Sequence, residues 1–130
     1  MKKEFVTYEQ ALALKELGYD EGCLKMALSD IDMVDSERTD SGEYPRNSDL
    51  YSGWTTIPLF SQAFKWMREK HELVVDWNHS QYDNAGSYIG VSIKNIHLEE
   101  TIVGVYKSYE EAQEECLTKL IEIVENNAHI

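Results

Sequence analysis

The stretch Ser108–Asn126 reads SYEEAQEECLTKLIEIVEN, and it decides the fold class. Ser108 followed by Glu111 has the spacing of a capping box, which predicts a helix that begins at this serine. Apolar side chains then recur every three or four residues, the period of one helix face. They are Ala112, Cys116, Leu117, Leu120, Ile121 and Val124. We expect this stripe to be buried, with the helix covering a sheet.

Two more helices precede this one. Thr7 and Gln10 repeat the capping-box spacing, and Gly18 is typical of the residue just after a helix, so we predict a helix over Tyr8–Leu17. Proline suits the first turn of a helix, which predicts a second helix that begins near Pro58. The basic residues that follow its apolar face are favourable at a helix C-terminus.

Alternating apolar and polar residues predict strands in two places. Cys23–Leu28 and Ile31–Val34 are short enough to form a hairpin. Leu73–Asn78, Tyr88–Lys94 and Thr101–Tyr106 follow the second helix. Because adjacent strands with short connections pair antiparallel, we expect the last three to form a meander.

The resulting element order is α-ββ-α-βββ-α. It predicts a two-layer α+β fold in which an antiparallel sheet of three to five strands packs against three helices. The length of 130 residues indicates a single domain over 1–130. Gly104, inside the last predicted strand, is typical of a β-bulge or of a point where another group approaches the backbone closely.

The composition indicates a globular protein, with 42% hydrophobic and 11% aromatic residues. Cys23 and Cys116 are too few for a disulfide framework or a zinc site, and we expect reduced thiols in a cytosolic chain. We expect no signal peptide, because no long apolar run follows Met1–Glu4, and we expect no membrane span, because no apolar run approaches roughly 18 residues.

The net charge of −12 is the main global property. It disfavours direct binding to nucleic acid or to an anionic membrane. The acids are unevenly distributed, with nine acidic and three basic residues between positions 19 and 56. An acidic surface of this kind attracts a protein with a basic surface, although an ordinary solvated face has the same composition.

The polar segment 35–56 is longer than ordinary connections, which usually stay under about 15 residues. Its large aromatic side chains favour contact with the core or with a partner. We therefore predict that this loop binds a partner protein. The predicted contact residues are Asp35, Glu37, Asp40, Glu43, Tyr44, Arg46, Tyr51 and Trp54.

No sequence motif points to catalysis or to a metal. The chain lacks the GxSxG, P-loop, GxGxxG and zinc-ribbon patterns. Asp76, His79 and Asp83 are close in sequence, but a polar hairpin connection explains them better than a metal cluster. We expect no enzymatic activity, no cofactor and no metal site.

Three helical segments also carry a family resemblance. The segments are FVTYEQALALKELG at 5–18, PLFSQAFKWMREK at 58–70, and YEEA at 109–112 with CL at 116–117 and KLIEIV at 119–124. Together they resemble a family of small uncharacterised proteins encoded by phages and mobile elements of gut bacteria. The family has no established activity, so the resemblance implies no catalytic residue. It implies expression in the cytoplasm of a bacterial host.

Together these features predict a non-catalytic phage accessory protein that blocks a host defence or nucleic-acid-processing protein with a basic surface. One alternative is an oligomeric binder that sequesters a nucleotide-like ligand through Tyr44, Arg46, Trp54 and Tyr82. Another is a minor virion component. The partner and the oligomeric state stay open at this point.

Overall fold

A computed structural model describes residues 4–82, 86–97 and 99–127, with the backbone alone for 79–82 and 86–88. The chain groups into an N-terminal unit, Glu4–Gln62, and a C-terminal unit that begins at Ala63. The expectation of a single domain over 1–130 stays a prediction. No helix among the described residues is both long and apolar enough to cross a membrane.

In the N-terminal unit, helix α1 spans Tyr8–Glu16. Its capping box forms as predicted, because the Thr7 hydroxyl accepts a hydrogen bond from the Gln10 amide and the Gln10 side chain accepts one from the Thr7 amide, each 3.1 Å long. Gly18 follows with a φ of +100°, a conformation that favours glycine. The helix buries Ala11 and Leu14 in the core of this unit.

A small antiparallel sheet completes the N-terminal unit. It contains β1 (Lys25–Ala27), β2 (Met33–Asp35) and β3 (Thr55–Ile57) in the order β2-β1-β3. The hairpin of β1 and β2 was predicted, whereas β3 was not. All three residues of β3 are buried, so the strand lacks the alternation that reveals a strand in sequence. The segment predicted as a loop over 35–56 thus holds the end of β2, a short 3₁₀ helix at Asn47–Asp49 and the start of β3.

Helix α2 spans Phe60–His71 and begins two residues after Pro58. The C-terminal unit continues with β4 (Val74–Tyr82), β5 (Gly86–Lys94) and β6 (Glu100–Tyr106). These strands form the predicted antiparallel meander in the order β4-β5-β6. Strands β4 and β5 extend further toward their shared connection than the alternation indicates.

Gly104 lies at a β-bulge, as predicted. Val91 pairs with Gly104 while the next residue, Ser92, pairs with Ile102, so Val103 is the extra residue. A Cβ atom at position 104 would lie 2.9 Å from the Tyr106 hydroxyl oxygen. The φ of +157° at this position favours glycine, and any larger residue would also have to displace the Tyr106 side chain.

Helix α3 spans Tyr109–Asn127 and packs on β5 and β6. The Ser108 hydroxyl accepts a hydrogen bond from the Glu111 amide at 3.1 Å, so the predicted start is confirmed. All six residues of the predicted apolar stripe are buried. The α+β class is confirmed, and its strands form two three-stranded antiparallel sheets where we expected one.

Candidate functional site

The surface of the N-terminal unit contains a groove with a volume of about 440 Å³. One side is formed by the β1–β2 hairpin and the residues just after it, and the other by the segment Pro45–Trp54. We call it the acidic groove. Its lining residues are Met26, Val34, Asp35, Glu37, Pro45, Asp49, Leu50, Tyr51 and Trp54. The volume falls in the range of sites that take a small ligand or a few side chains of a partner.

The hairpin provides the apolar part of one wall. Met26 pairs directly with Val34 in the antiparallel register, so their side chains lie on the same face of the sheet. Val34 is exposed, and both residues line the acidic groove. The wall is built on paired strands, which hold the two side chains at a fixed separation.

Side-chain hydrogen bonds hold the opposite wall in place. The side-chain amide of Asn47 donates a hydrogen bond to the Tyr19 carbonyl and accepts one from the backbone amide of Thr56, each 2.8 Å long. The Asp20 carboxylate accepts hydrogen bonds from the amide and the hydroxyl of Ser48, also at 2.8 Å. These bonds fix the 3₁₀ helix beside the turn that follows α1.

Two contacts fix the ends of the same wall. The Lys15 ammonium donates to the Trp54 carbonyl at 3.0 Å. The Cys23 amide donates to the Pro45 carbonyl at 3.1 Å, and Gly22 lets the two segments approach, since a Cβ there would lie 2.8 Å from the Tyr44 carbonyl oxygen. The segment is therefore a structured wall with attachments at both ends.

The charge around the acidic groove is strongly negative. The N-terminal unit contains twelve acidic residues and four basic ones. Asp35 forms an ion pair with Lys25 at 3.0 Å, and the Asp49 carboxylate accepts a hydrogen bond from the Arg46 amide at 3.0 Å. Glu37 forms no ion pair with any residue that the structure describes. Its charge is available to a ligand.

Each of the four basic side chains of this unit has a partner within the unit. Lys15 binds the Trp54 carbonyl, and Lys25 contacts both Asp35 and the ring of Phe5. The Arg38 guanidinium lies 5.1 Å from the centre of the Tyr44 ring. The Arg46 guanidinium lies 4.0 Å from the Glu43 carboxylate. Lys25 therefore offsets the charge of Asp35, and the excess of acidic over basic residues keeps this unit negative.

Half of the predicted contact residues line the acidic groove. These are Asp35, Glu37, Tyr51 and Trp54. The other four, Asp40, Glu43, Tyr44 and Arg46, do not line it. The rest of the lining was not predicted, although the alternation of Leu24, Met26 and Leu28 in the first strand of the hairpin was a signal for Met26.

The residues suggested for a nucleotide-like ligand are not gathered in this groove. Of the described side chains in that set, Trp54 lines it, while Tyr44 and Arg46 do not. The Tyr82 side chain lies outside the part of the chain that the structure describes, as does Asp83. A carboxylate-lined groove also disfavours phosphate groups, so the nucleotide alternative gains no support here.

The buried thiols lack the environment of a nucleophile. Cys23 and Cys116 are both fully buried. Burial raises the pKa of the Cys23 thiol and raises that of Cys116 to about 12, which keeps both protonated at neutral pH. Among the described residues, no group of three His, Cys, Asp or Glu side chains is arranged to hold a metal ion. The absence of enzymatic activity stays a prediction.

Comparison with known proteins gives no family assignment. No protein-family model matches the chain, and neither the curated proteins nor the solved structures contain a significant match. The resemblance to phage-encoded proteins stays a prediction, and the functional argument rests on the geometry of the acidic groove.

Proposed function

We propose that this chain is a non-catalytic binding protein that docks onto a basic segment of a partner protein through the acidic groove. The observation that carries the proposal is the combination of an apolar lining with carboxylates in one concave site of about 440 Å³. Such a site complements an apolar or aromatic side chain flanked by Lys or Arg.

The apolar and charged parts of the acidic groove have different roles. Val34, Leu50 and Trp54 provide apolar surface, and binding is favoured when a partner side chain removes that surface from water. Glu37 and Asp49 attract cations from a distance, which raises the association rate and makes it sensitive to salt, whereas Asp35 is already paired with Lys25. Tyr51, with a relative exposure of 89%, is free to cover a bound segment.

A selection from a library of random displayed peptides tests the proposed partner class. We expect the recovered peptides to combine Lys or Arg with Trp, Leu or Val. Affinity for a recovered peptide should fall about tenfold when the salt concentration rises from about 50 to about 500 mM, because added ions screen the carboxylates. Recovery of acidic or uncharged peptides would contradict the proposal.

A matched pair of charge variants locates the site. Glu37→Gln removes a carboxylate that lines the acidic groove, and Asp40→Asn removes one from the same segment outside it. We expect Glu37→Gln to weaken peptide binding about three- to tenfold and Asp40→Asn to change it less than twofold, as measured by fluorescence anisotropy. Equal effects of the two variants would place the binding site elsewhere.

The finer proposal is that the partner is a host defence or nucleic-acid-processing protein in a phage-infected bacterium, which binding would block. It is supported by the negative charge and by the family resemblance. The test is affinity capture from a host lysate with the wild-type and Glu37→Gln chains at low and high salt. Failure to recover a basic protein selectively with the wild-type chain at low salt would count against it.

A further inference from the structure

The two edges of the small N-terminal sheet differ in exposure. At one edge all three residues of β3 are buried. At the other edge all three residues of β2 are exposed, and no strand among the described residues pairs with its outer side. The sheet therefore has one covered edge and one open edge.

Backbone contacts also join the residues just before α1 to the residues that follow β3. Phe5 forms an isolated antiparallel bridge with Leu59, and the Val6 amide donates to the Pro58 carbonyl at 3.0 Å. No comparable contact is present along the outer side of β2 in the described part of the chain. An open edge offers backbone donors and acceptors to an added strand.

The hydrogen bonds of the β1–β2 hairpin show which backbone amides and carbonyls of β2 point away from β1. The Ser36 amide donates to the Leu24 carbonyl at 2.8 Å, and the Leu28 amide donates to the Asp32 carbonyl at 3.0 Å. Inward-facing backbone groups alternate along an antiparallel strand, so those of Val34 also face β1. The amides and carbonyls of Met33 and Asp35 consequently face outward from the sheet.

The open edge also borders the acidic groove, because Val34, Asp35 and Glu37 line it. A strand added beside β2 would place every second side chain on the face shared by Met26 and Val34. Those side chains would enter the acidic groove. The strand's backbone and its alternate side chains would thus be recognised by one continuous surface.

Charge selects the kind of strand. Asp32, Asp35 and Glu37 lie along this edge, and Lys25 is already paired with Asp35. Acidic residues on an exposed edge disfavour pairing with a second copy of the same acidic chain. The same residues attract a strand that carries Lys or Arg.

We infer that the outer edge of β2 accepts an extended basic segment of the partner protein as a fourth strand of the small sheet. This inference rests on the proposed function and adds the binding mode. The partner backbone bonds to the outward groups of Met33 and Asp35, and every second partner side chain lies in the acidic groove. Affinity then depends on the partner's backbone amides as well as on its side chains.

The direct test uses a peptide recovered in the selection, synthesised with N-methyl groups at alternating backbone positions. N-methylation of amides in the phase that faces β2 should weaken binding at least about tenfold, since each change removes a donor and adds bulk. N-methylation in the opposite phase should change the affinity less than about threefold. Equal losses in both phases would overturn strand addition while leaving the acidic groove as the binding site.

A pair of protein variants gives an independent test. Met33→Pro removes an outward amide at an edge position that tolerates proline, and Met33→Ala removes the side chain but keeps the amide. With folding verified by circular dichroism, we expect Met33→Pro to bind the peptide at least about fivefold more weakly than Met33→Ala. Equal affinities would overturn the inference, as would a wild-type dimer that Met33→Pro dissociates. Absence of any peptide binding by the wild-type chain would instead remove the proposed function itself.

Discussion

Different interactions stabilise the two sheets of this protein. The strands of the C-terminal sheet have seven to nine residues, and each is long enough for many ladder hydrogen bonds. The strands of the N-terminal sheet have three residues each. Side chains outside the strands, such as Asn47 and Asp20, supply additional hydrogen bonds in that unit. A small sheet fixed by its surroundings can leave one edge open for binding.

The largest expected effect is on stability and concerns the apolar core beneath the long sheet. Leu120 is fully buried in α3. Leu120→Ala should lower the free energy of unfolding by about 2 to 5 kcal/mol, because it removes buried methyl groups and leaves a cavity. Urea denaturation measures this change. Glu125→Ala, at an exposed position of the same helix, is the control and should change stability by less than about 0.5 kcal/mol.

The second prediction concerns the hydrogen bonds that hold the short sheet. Asn47→Ala removes two side-chain bonds and leaves the buried Thr56 amide without its acceptor. We expect a loss of about 2 to 3 kcal/mol in urea denaturation and weaker peptide binding, since the groove wall loosens. The matched control is Asn95→Ala, in the turn before β6.

The Asn95 side chain also accepts two backbone hydrogen bonds, from His97 and Glu99, but these are exposed. Water can replace them, so we expect the control to lose less than about 1 kcal/mol. Equal losses in the two variants would contradict a special role for side-chain bonds in the short sheet.

The third prediction concerns pH and the buried thiol of Cys116. Its pKa rises from an unfolded value of 9.0 to about 12 in the folded chain. Above pH 9 the folded state binds more protons than the unfolded state, so stability falls as the pH rises. Between pH 9 and 10 this thiol alone should lower the free energy of unfolding by about 1 kcal/mol. Denaturation at the two pH values should show a shallower fall for Cys116→Ala.

The smallest expected effect compares one surface ion pair in each sheet. Lys25 and Asp35 are 3.0 Å apart in the short sheet, and Lys94 and Asp76 are 3.4 Å apart in the long one. All four side chains are substantially exposed. Asp35→Asn and Asp76→Asn should each change the free energy of unfolding by less than about 1 kcal/mol. A larger loss for Asp35→Asn would indicate that charge pairing stabilises the short sheet.

The helices and the long sheet were predictable from sequence because their signals are local. Helix geometry fixes the spacing of the capping residues at Thr7 and Ser108 and of the apolar stripe of α3, so these features can be recognised in the sequence. The meander follows from alternation over many residues. The short strand Thr55–Ile57 gave no such signal, since a strand buried on both faces does not alternate.

The candidate site was only partly predictable for a related reason. The 35–56 segment was identified by its length and aromatic content, and Asp35, Glu37, Tyr51 and Trp54 do line the acidic groove. Asp40 and Tyr44 have the same composition signals but lie outside it. What separates the two sets is the position of the segment relative to the β1–β2 hairpin, which depends on long-range hydrogen bonds such as that between Asn47 and Tyr19.

The contacts of Asn47 also bear on chemical ageing. Deamidation of asparagine requires the backbone nitrogen of the next residue to attack the side-chain carbonyl carbon. Here the Ser48 nitrogen is committed to Asp20, and both ends of the Asn47 amide are bound. The wall of the acidic groove is thereby shielded from a slow covalent conversion that would place yet another negative charge at its base.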